Sequence, residues 1–294
     1  MARSFPFYLA SAFSNEAFGG NPAAVIFLEK LDITDDFLLK IADNLNQPGA
    51  AFLFPAPPST DPKVFRFKIR YIVGPGKEVP FCGHATIAAA QVAFNWQREL
   101  ISDEVEVLEF ETPASGVMRA FKTGDGFNEI QLPLAVVEEV EADERERLSK
   151  LVNNAFGREV NIEFIGKGGE GFRNCLLVEL DAKENLKASG INANPLKETG
   201  FSTNILTTES LTGEETFVSR MFAPTILSSG EDHVCGVAHC LLTPYWFSKK
   251  NITEGLGTAA QVSKRGGALK VGKGEGVVRI QGQACIFSSA TMYL

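Results

Sequence analysis

A four-residue pattern that begins with cysteine occurs twice in the chain. Cys82-Gly83-His84-Ala85 opens one apolar stretch, and Cys235-Gly236-Val237-Ala238 opens another about half a chain length later. Both stretches have the composition of a buried helix. Each cysteine is therefore expected at a helix N-terminus, where unpaired backbone N–H groups create a positive potential that lowers the pKa of a thiol. The repeated pattern predicts a pocket with an acid on one wall and a base on the other.

Further polar residues lie near these two patterns. His84 falls in the first turn of the first helix, where an imidazole can exchange a hydrogen bond with a ligand. Asp232 comes three residues before Cys235, and it is either the N-cap of the second helix or a general acid or base. Asn21, in a Gly-Gly-Asn-Pro turn, either shapes that turn or faces a ligand.

The free backbone N–H groups of the two helix starts, at Gly83, Gly236 and Val237, are expected to bind a carboxylate. A glycine at such a position lets a ligand approach the backbone closely. The alternative is that both cysteines are simply buried small apolar residues. A zinc site is not favoured, because a Cys-x-His step is not the usual zinc-ligand spacing, and no metal is expected.

Apolar runs bounded by Gly, Pro, Asn or Asp predict many short strands and four helices. The expected helices cover residues 35–44, 83–96, 145–156 and 236–247, with Pro244 ending or kinking the last one early. The expected strands cover residues 5–13, 23–27, 50–54, 65–73, 105–110, 117–121, 129–132, 160–165, 174–180, 203–207, 216–222, 268–271, 276–281 and 284–288. The acidic stretch after Pro133 predicts two domains, residues 1–133 and 134–294, with the option that the last strand crosses back to the first.

Composition narrows the class of protein. The chain has 294 residues, a net charge of −8 and no cluster of Lys and Arg, which argues against nucleic acid as a partner. No apolar run approaches the roughly 20 residues that span a bilayer, and the N-terminus lacks the features of a secretory signal, so no membrane partner is expected. Five cysteines, an odd number, do not suggest a disulfide framework, and a cytoplasmic location is expected.

Several motifs, in their order along the chain, resemble those of the phenazine biosynthesis-like (PhzF-like) isomerases. They are Gly20 to Val25, Glu78 to Thr86, Arg220 to Pro224, Glu231-Asp232 with Gly236 to Cys240 and Tyr245-Trp246, and Gln261-x-Ser263-x-Arg265-Gly266-Gly267. The resemblance implies the α+β, diaminopimelate-epimerase-like fold. In that fold two pseudo-symmetric halves, each a strand barrel or wrapped sheet around a central buried helix, hold the site in the cleft between them. The resemblance also implies an enzyme without cofactor or metal, and in many members a homodimer.

The resemblance assigns proton transfer to a glutamate, to His84 and to Asp232, but two positions depart from the family pattern. Gly49 stands where the glutamate would be, and a glycine cannot transfer a proton. Cys235 stands where PhzF-like proteins often have threonine. In the racemase and epimerase branches of the superfamily, two cysteines at these helix starts form the acid–base pair.

These observations lead to one preferred hypothesis and two alternatives. The preferred one is an isomerase of the racemase or epimerase type that moves the α-proton of a small carboxylated substrate between Cys82 and Cys235. Asn21, His84 and Asp232 would orient that substrate. The first alternative is a PhzF-like isomerase or cyclase of secondary metabolism that works with His84 and Asp232, and the second is a catalytically silent binding protein.

Overall fold

The computed structural model describes residues 4–29, 33–74, 76–96, 100–114 and 116–293. The chain divides into two compact units: unit 1 comprises Met1–Gln131 and Gln281–Leu294, and unit 2 comprises Leu132–Ile280. The last strand of the chain therefore belongs to unit 1. Among the described residues, no helix combines the length and the apolar character needed to span a bilayer.

Unit 1 is a mixed sheet with two helices. Its elements are β1 (Ser4–Ala12), β2 (Asn21–Phe27), α1 (Asp35–Leu45), β3 (Gly49–Pro55), β4 (Val64–Val73), β5 (Lys77–Val79), α2 (Gly83–Trp96), β6 (Val107–Thr112), β7 (Gly116–Lys122), β8 (Asn128–Pro133) and β18 (Ala284–Tyr293). Strand β1 is antiparallel to both β18 and β2, β2 is parallel to β3, and β3 is antiparallel to β4. Strand β4 pairs with the short β5 and, in parallel, with β6, which continues antiparallel into β7 and β8.

Unit 2 is built in a similar way. Its elements are β9 (Val137–Glu139), α3 (Ala142–Phe156), β10 (Ile162–Gly168), β11 (Cys175–Leu180), a 3₁₀ helix (Asn194–Thr199), β12 (Thr203–Thr208), β13 (Phe217–Phe222), β14 (Glu231–Asp232), α4 (Gly236–Lys249), β15 (Gly257–Gln261), β16 (Gly267–Lys273) and β17 (Val277–Gly282). Strand β10 is antiparallel to β9 and β11, β11 is parallel to β12, and β12 is antiparallel to β13. Strand β13 pairs with the short β14 and, in parallel, with β15, which is antiparallel to β16.

The two units share one strand pattern. In β1-β2-β3-β4-β6-β7 and in β10-β11-β12-β13-β15-β16, successive pairs are antiparallel, parallel, antiparallel, parallel and antiparallel. A short strand lies beside the fourth strand of each series, β5 in unit 1 and β14 in unit 2. Three residues after the end of that short strand comes a cysteine, Cys82 or Cys235, and the next residue begins a helix. The pattern therefore places the two cysteines at matched positions.

Helix α2 is enclosed by its own unit. It contacts strands β1, β2, β3, β7 and β18, and every side chain from Ala85 to Ala90 is buried. A helix that is apolar on all sides is stable only when it is surrounded by other structure. The start of α2 is therefore held at a fixed place within unit 1.

Helix α4 runs through Pro244 to Lys249, so the expected early end at the proline is wrong. Proline has no N–H, which leaves the carbonyl of Cys240, four residues earlier, without its helical partner. That carbonyl accepts a hydrogen bond from the N–H of Ala135 at 3.2 Å instead. The helix continues because the freed acceptor is satisfied from outside the helix.

The predicted helices and long strands are confirmed, with differences at their ends. Helix α2 has the predicted bounds, and α3 begins at Ala142, before the predicted start, with Asp143 and Glu144 in its electropositive first turn. The sequence does not predict β5, β9, β14 or β15. The first three have only two or three residues, and β15, with the sequence GTAAQ, is made mostly of small residues. Such segments carry no alternating apolar pattern.

Candidate active site

Cys82 is fixed at the start of α2 by hydrogen bonds that reach β4. Its carbonyl accepts from the N–H of Thr86 at 2.9 Å and from the Thr86 hydroxyl at 2.8 Å. The same hydroxyl lies 2.7 Å from the hydroxyl of Tyr71 in β4. Burial raises the pKa of Tyr71, which therefore stays neutral. The first turn of α2, and with it Cys82, is tied to the sheet.

The side chains of Cys82 and His84 are in contact. Sγ of Cys82 lies 3.3 Å from Nδ1 of His84, a hydrogen-bonding distance for sulfur. Each residue exposes only 8% of its surface. A neighbouring imidazole can take the proton of a thiol and leave a reactive thiolate. Unit 1 thus brings together two of the residues that the sequence singles out.

Gly49, the first residue of β3, lies directly against this pair. A Cβ added at Gly49 would be 2.5 Å from Nε2 of His84 and 3.5 Å from Sγ of Cys82. A Cβ in a real protein essentially never approaches another heavy atom to 2.5 Å. The imidazole therefore fills the space that a side chain at position 49 would need.

Asn21 and Gly83 complete the unit 1 candidates. Asn21 is the first residue of β2 and is completely buried. The turn before it requires Gly20, whose φ is +59° and whose Cβ would lie 2.1 Å from the carbonyl oxygen of Ala12. Gly83, buried, is the first residue of α2. The Gly-Asn-Pro motif thus sets a tight turn that fixes where Asn21 starts its strand.

In unit 2, Cys235 is the N-cap of α4, so the interpretation of Asp232 as the cap is wrong. The Cys235 backbone is extended, with φ −110° and ψ 111°, and its own side chain makes no capping hydrogen bond. Asp232 ends β14, where it pairs with Met221 of β13. Asp232 therefore lies at a strand end, three residues before the N-cap of the helix.

A buried glutamine closes the segment between Asp232 and Cys235. Oε1 of Gln261 accepts from the N–H of Cys235 at 2.9 Å, and Nε2 donates to the carbonyl of Asp232 at 2.7 Å. Two residues later, the hydroxyl of Ser263 donates to the carbonyl of His233 at 2.7 Å. Because one amide group can both donate and accept, Gln261 holds both ends of the segment at once.

Burial raises the pKa of the Cys235 thiol well above its ordinary value, and the negative charge of Asp232 raises it further. A backbone hydrogen bond from Ala238 in the first turn of α4 acts in the opposite direction but does not prevail. The lowered pKa expected for a thiol at a helix N-terminus is therefore wrong for Cys235, because lost hydration outweighs the helix terminus. Cys235 is protonated at neutral pH. The two helix residues that follow Cys235 differ in solvent exposure: Gly236 is buried and Val237 is half-buried.

An ion pair fastens the short strand ahead of each cysteine. In unit 1, Arg70 of β4 donates to Glu78 of β5 at 2.8 and 2.6 Å. In unit 2, Arg220 of β13 donates to Glu231 of β14 at 2.7 and 2.8 Å. The side chains of Arg70 and Glu78 are 19% and 40% exposed, and those of Arg220 and Glu231 only 11% and 19%. Both cysteines therefore follow an anchored strand, and the anchor in unit 2 is the more buried one.

The remaining buried cysteines and His239 belong to the core of unit 2. Burial raises the pKa of Cys175 to about 11 and also raises that of Cys240. Nδ1 of His239 contacts the carbonyl of Cys235 at 2.8 Å, and burial lowers the pKa of His239 to about 4. Across the described ranges, no group of three or more His, Cys, Asp and Glu side chains is placed to hold a metal ion.

The sequence does not predict the roles of three residues that hold the segments around the two cysteines: Tyr71, Arg220 and Gln261. Arg220 and Gln261 lie in motifs that carry the family resemblance, but nothing local shows which partner each one bonds. Gln261 reaches Cys235 because β15 pairs in parallel with β13. The sequence offered one indication of such roles: a polar residue inside an apolar strand needs a buried hydrogen-bond partner.

Comparisons with known proteins agree over nearly the whole chain. The family model of phenazine biosynthesis-like proteins matches residues 10–290. An uncharacterized isomerase from Halalkalibacterium halodurans is 34% identical over 279 residues, which are 95% of each chain. The crystal structure of a PhzF family phenazine biosynthesis protein from Enterococcus faecalis is 30% identical, with a TM-score of 0.83 over 99% of this chain and 100% of that chain.

A more distant structure carries the same fold. A hydroxyproline epimerase from Agrobacterium vitis is 12% identical, with a TM-score of 0.57 over 99% of this chain and 93% of that chain. At this identity the likeness shows the fold alone. Together these structures confirm the predicted class, a sheet-rich α+β fold of the diaminopimelate-epimerase-like type.

Proposed function

Because the chain belongs to the phenazine biosynthesis-like family and is an isomerase of that type, we propose that it moves the α-proton of a small carboxylated substrate with Cys82 and Cys235 as its acid–base pair. One observation carries the proposal. Each cysteine stands three residues after the short strand of its unit and immediately before the buried helix. Ionisable thiols at matched positions of a repeated framework are suited to matched steps of one reaction.

In the proposed reaction, Cys82 is the base and Cys235 the acid. The Cys82 sulfur takes the α-proton as the carbon–hydrogen bond breaks, and the electron pair moves into the carboxylate as an enolate-like charge. The Cys235 thiol then donates its proton to the opposite face of the carbon, forming a carbon–hydrogen bond of inverted configuration. Exchange with water returns both sulfurs to their starting protonation states, so the reaction consumes no co-reactant.

The surroundings of the two sulfurs support these roles. Burial and the charge of Asp232 keep Cys235 protonated, which is the form that an acid needs. Cys82 has the imidazole of His84 at 3.3 Å, which favours the form that a base needs. The same cysteines would exchange roles in the reverse reaction.

In this proposal, the N-termini of α2 and α4 supply the groups that bind the substrate carboxylate. The backbone N–H groups of Gly83, Gly236 and Val237 bind the substrate carboxylate and stabilise the charge that develops on it. Asn21 and Asp232 orient the substrate, each fixed by its own strand: Asn21 begins β2, and Asp232 ends β14. His84 completes the set beside Cys82.

The test is proton NMR in D₂O with a panel of small L- and D-α-amino and α-hydroxy acids. We expect the α-proton signal of one substrate class to disappear while the opposite enantiomer forms. Cys82→Ala and Cys235→Ala should each lower the rate by on the order of 1,000-fold, because each removes one proton-transfer group. Cys285→Ser, which changes a partly exposed thiol on β18, is the matched control and should retain the wild-type rate.

Full activity in both single alanine variants would refute the two-thiol pair. Activity that survives Cys235→Thr but is lost in variants of His84 or Asp232 would favour the second candidate, a PhzF-like proton shift or cyclisation. The family membership supports that candidate, and by the motif resemblance His84 and Asp232 occupy its matching positions. Tight binding of a carboxylated ligand with no proton exchange would instead indicate a silent binding protein.

A further inference from the structure

We propose that Cys82 and His84 form a thiolate–imidazolium pair, and that Gly49 is the positioning residue that allows the pair to form. This inference rests on the proposed function in one respect: the proposed function makes Cys82 the base, and the pair supplies the thiolate that a base needs. The proton passes from Sγ of Cys82 to Nδ1 of His84, so a sulfur–hydrogen bond breaks and a nitrogen–hydrogen bond forms. No other reactant is needed.

The contact itself favours charge separation. The two atoms lie 3.3 Å apart, and each residue is largely removed from solvent. Burial removes hydration from both charges, as it does for Cys235, but here opposite charges in contact offset that loss because they attract more strongly than in water. The sulfur also stands at the N-terminus of α2, where the backbone N–H groups favour a negative charge.

The position of the imidazole depends on the absence of a side chain at Gly49. A Cβ there would meet Nε2 at 2.5 Å and Cε1 at 3.0 Å, so even a methyl group would push the ring away. The backbone of Gly49 cannot retreat, because β3 is paired at this residue with Ala23 on one side and Val73 on the other. The φ of Gly49 also lies outside the left-handed region. Space, and not backbone conformation, therefore requires glycine at position 49.

A titratable neighbour on an adjacent strand, Tyr71, does not compete for the proton. Tyr71 of β4 interacts electrostatically with Cys82, but burial raises its pKa, and its hydroxyl is engaged with Thr86. Tyr71 therefore stays neutral and adds no charge beside the pair. In unit 2, Val237 stands two residues after Cys235, as His84 does after Cys82, so the matched position there has no imidazole.

The test measures the rate at which iodoacetamide alkylates Cys82 at neutral pH, read by mass spectrometry of the peptide that contains it. It compares the wild type with Gly49→Ala, His84→Ala and the double variant. Gly124→Ala is the matched control, because it makes the same change in unit 1 where no atom lies within 4 Å of the added Cβ. Circular dichroism confirms that each variant is folded.

We expect His84→Ala to slow alkylation about tenfold, because a thiol without its imidazole is mostly protonated at neutral pH. This slowing is expected even though loss of the ring opens access to the sulfur. Gly49→Ala should slow alkylation by a similar factor, and Gly124→Ala should leave the rate unchanged. In the double variant the alanine at position 49 should add nothing further, because the ring it displaces is gone.

Wild-type alkylation in His84→Ala would overturn the pair. Wild-type alkylation in Gly49→Ala, or an additional loss in the double variant, would overturn the role of Gly49. If Gly49→Ala does not fold, the His84→Ala result decides the pair, and the double variant decides the role of Gly49: it should fold because the ring is absent, and its failure to fold would overturn that role. The measurement uses no substrate, so a confirmed pair without α-proton exchange would refute the proposed function alone, and exchange without a reactive Cys82 would refute this inference alone.

Discussion

Cys82 and Cys235 occupy matched positions in units 1 and 2, but the groups around them differ. The sulfur of Cys82 contacts an imidazole at 3.3 Å, whereas Val237 occupies the corresponding position after Cys235. Cys235 instead has the charge of Asp232 beside it and a backbone N–H held by the buried Gln261. One framework therefore surrounds one cysteine with a proton acceptor and the other with groups that keep its proton in place.

This difference shows how a repeated strand pattern can surround two matched cysteines with different groups. The strand pattern decides where each sulfur lies, because it places a short strand and a buried helix on either side of it. The protonation state is decided by a few side chains close to each sulfur. In unit 1, Gly49 leaves room for the imidazole of His84 beside Cys82. In unit 2, burial is the main cause that raises the pKa of the Cys235 thiol. Substitutions in the two units should therefore have unequal effects.

The largest difference is expected from Gln261→Met, because unit 2 depends on this glutamine to hold Cys235. The buried N–H of Cys235 and the partly buried carbonyl of Asp232 would lose their partner, which should lower the free energy of unfolding by about 3 kcal/mol. Displacement of the Cys235 thiol, the proposed acid, should lower kcat about 100-fold. Alkylation of Cys82 should stay at the wild-type rate, since Gln261 lies in unit 2. A wild-type kcat in a destabilised Gln261→Met variant would show that the glutamine has no positioning role.

The two ion pairs allow a direct comparison of equivalent substitutions. Arg220→Met should destabilise the protein by about 3 kcal/mol, because it leaves Glu231 poorly hydrated and removes hydrogen bonds to the carbonyls of Leu186 and Ser189. Arg70→Met should cost about 1 kcal/mol, since Glu78 remains accessible to water. Urea unfolding measures both values. Equal losses would contradict the view that the segment before Cys235 is the more buried and more firmly held of the two.

Acid should weaken the protein through His239 of unit 2. Burial lowers its pKa from 6.5 to about 4, so the unfolded chain takes up a proton at a higher pH than the folded chain does. The contribution of His239 to the free energy of unfolding is therefore complete above pH 6.5. It falls as the pH decreases, and about 2 kcal/mol is lost near pH 5. His239→Phe should remove this part of the pH dependence. An unchanged slope in that variant would assign the acid sensitivity to other groups.

The smallest effect is expected at Pro244, which interrupts α4 and has no counterpart in α2. A proline inside a helix usually costs about 3 kcal/mol relative to alanine. Here the freed carbonyl of Cys240 is already bonded to Ala135, so Pro244→Ala should change stability by no more than about 1 kcal/mol. Thermal unfolding of the variant checks this, and a large gain would mean that the Ala135 bond compensates poorly.

The sequence predicts the elements that carry a long periodic pattern and misses those that do not. The bounds of α2 follow from an uninterrupted apolar stretch, and the fold class follows from motifs distributed along the chain. Strands β5 and β14 are too short for any periodicity, yet they determine where the cysteines lie. Their positions depend on pairing with β4 and β13, which no local pattern reveals.

The chemistry of the candidate site is predictable in residue type but not in environment. The repeated Cys-Gly pattern marks both thiols, but burial reverses the expected pKa of Cys235. Gly49 looks like the loss of a catalytic acid when it is read by its type alone. Its structural consequence, the space taken by His84, depends on a contact between β3 and α2. Such contacts join distant parts of the chain, so the sequence alone does not show them.

The most direct test of the account compares the ultraviolet absorbance of thiolate in the wild type with that in Cys82→Ser and Cys235→Ser at neutral pH. We predict that Cys82→Ser loses a thiolate signal and that Cys235→Ser loses none, because Cys82 is the ionised base and Cys235 the protonated acid. Equal signals from the two variants, or a thiolate that disappears only with Cys235, would contradict the assignment of base and acid to the two units.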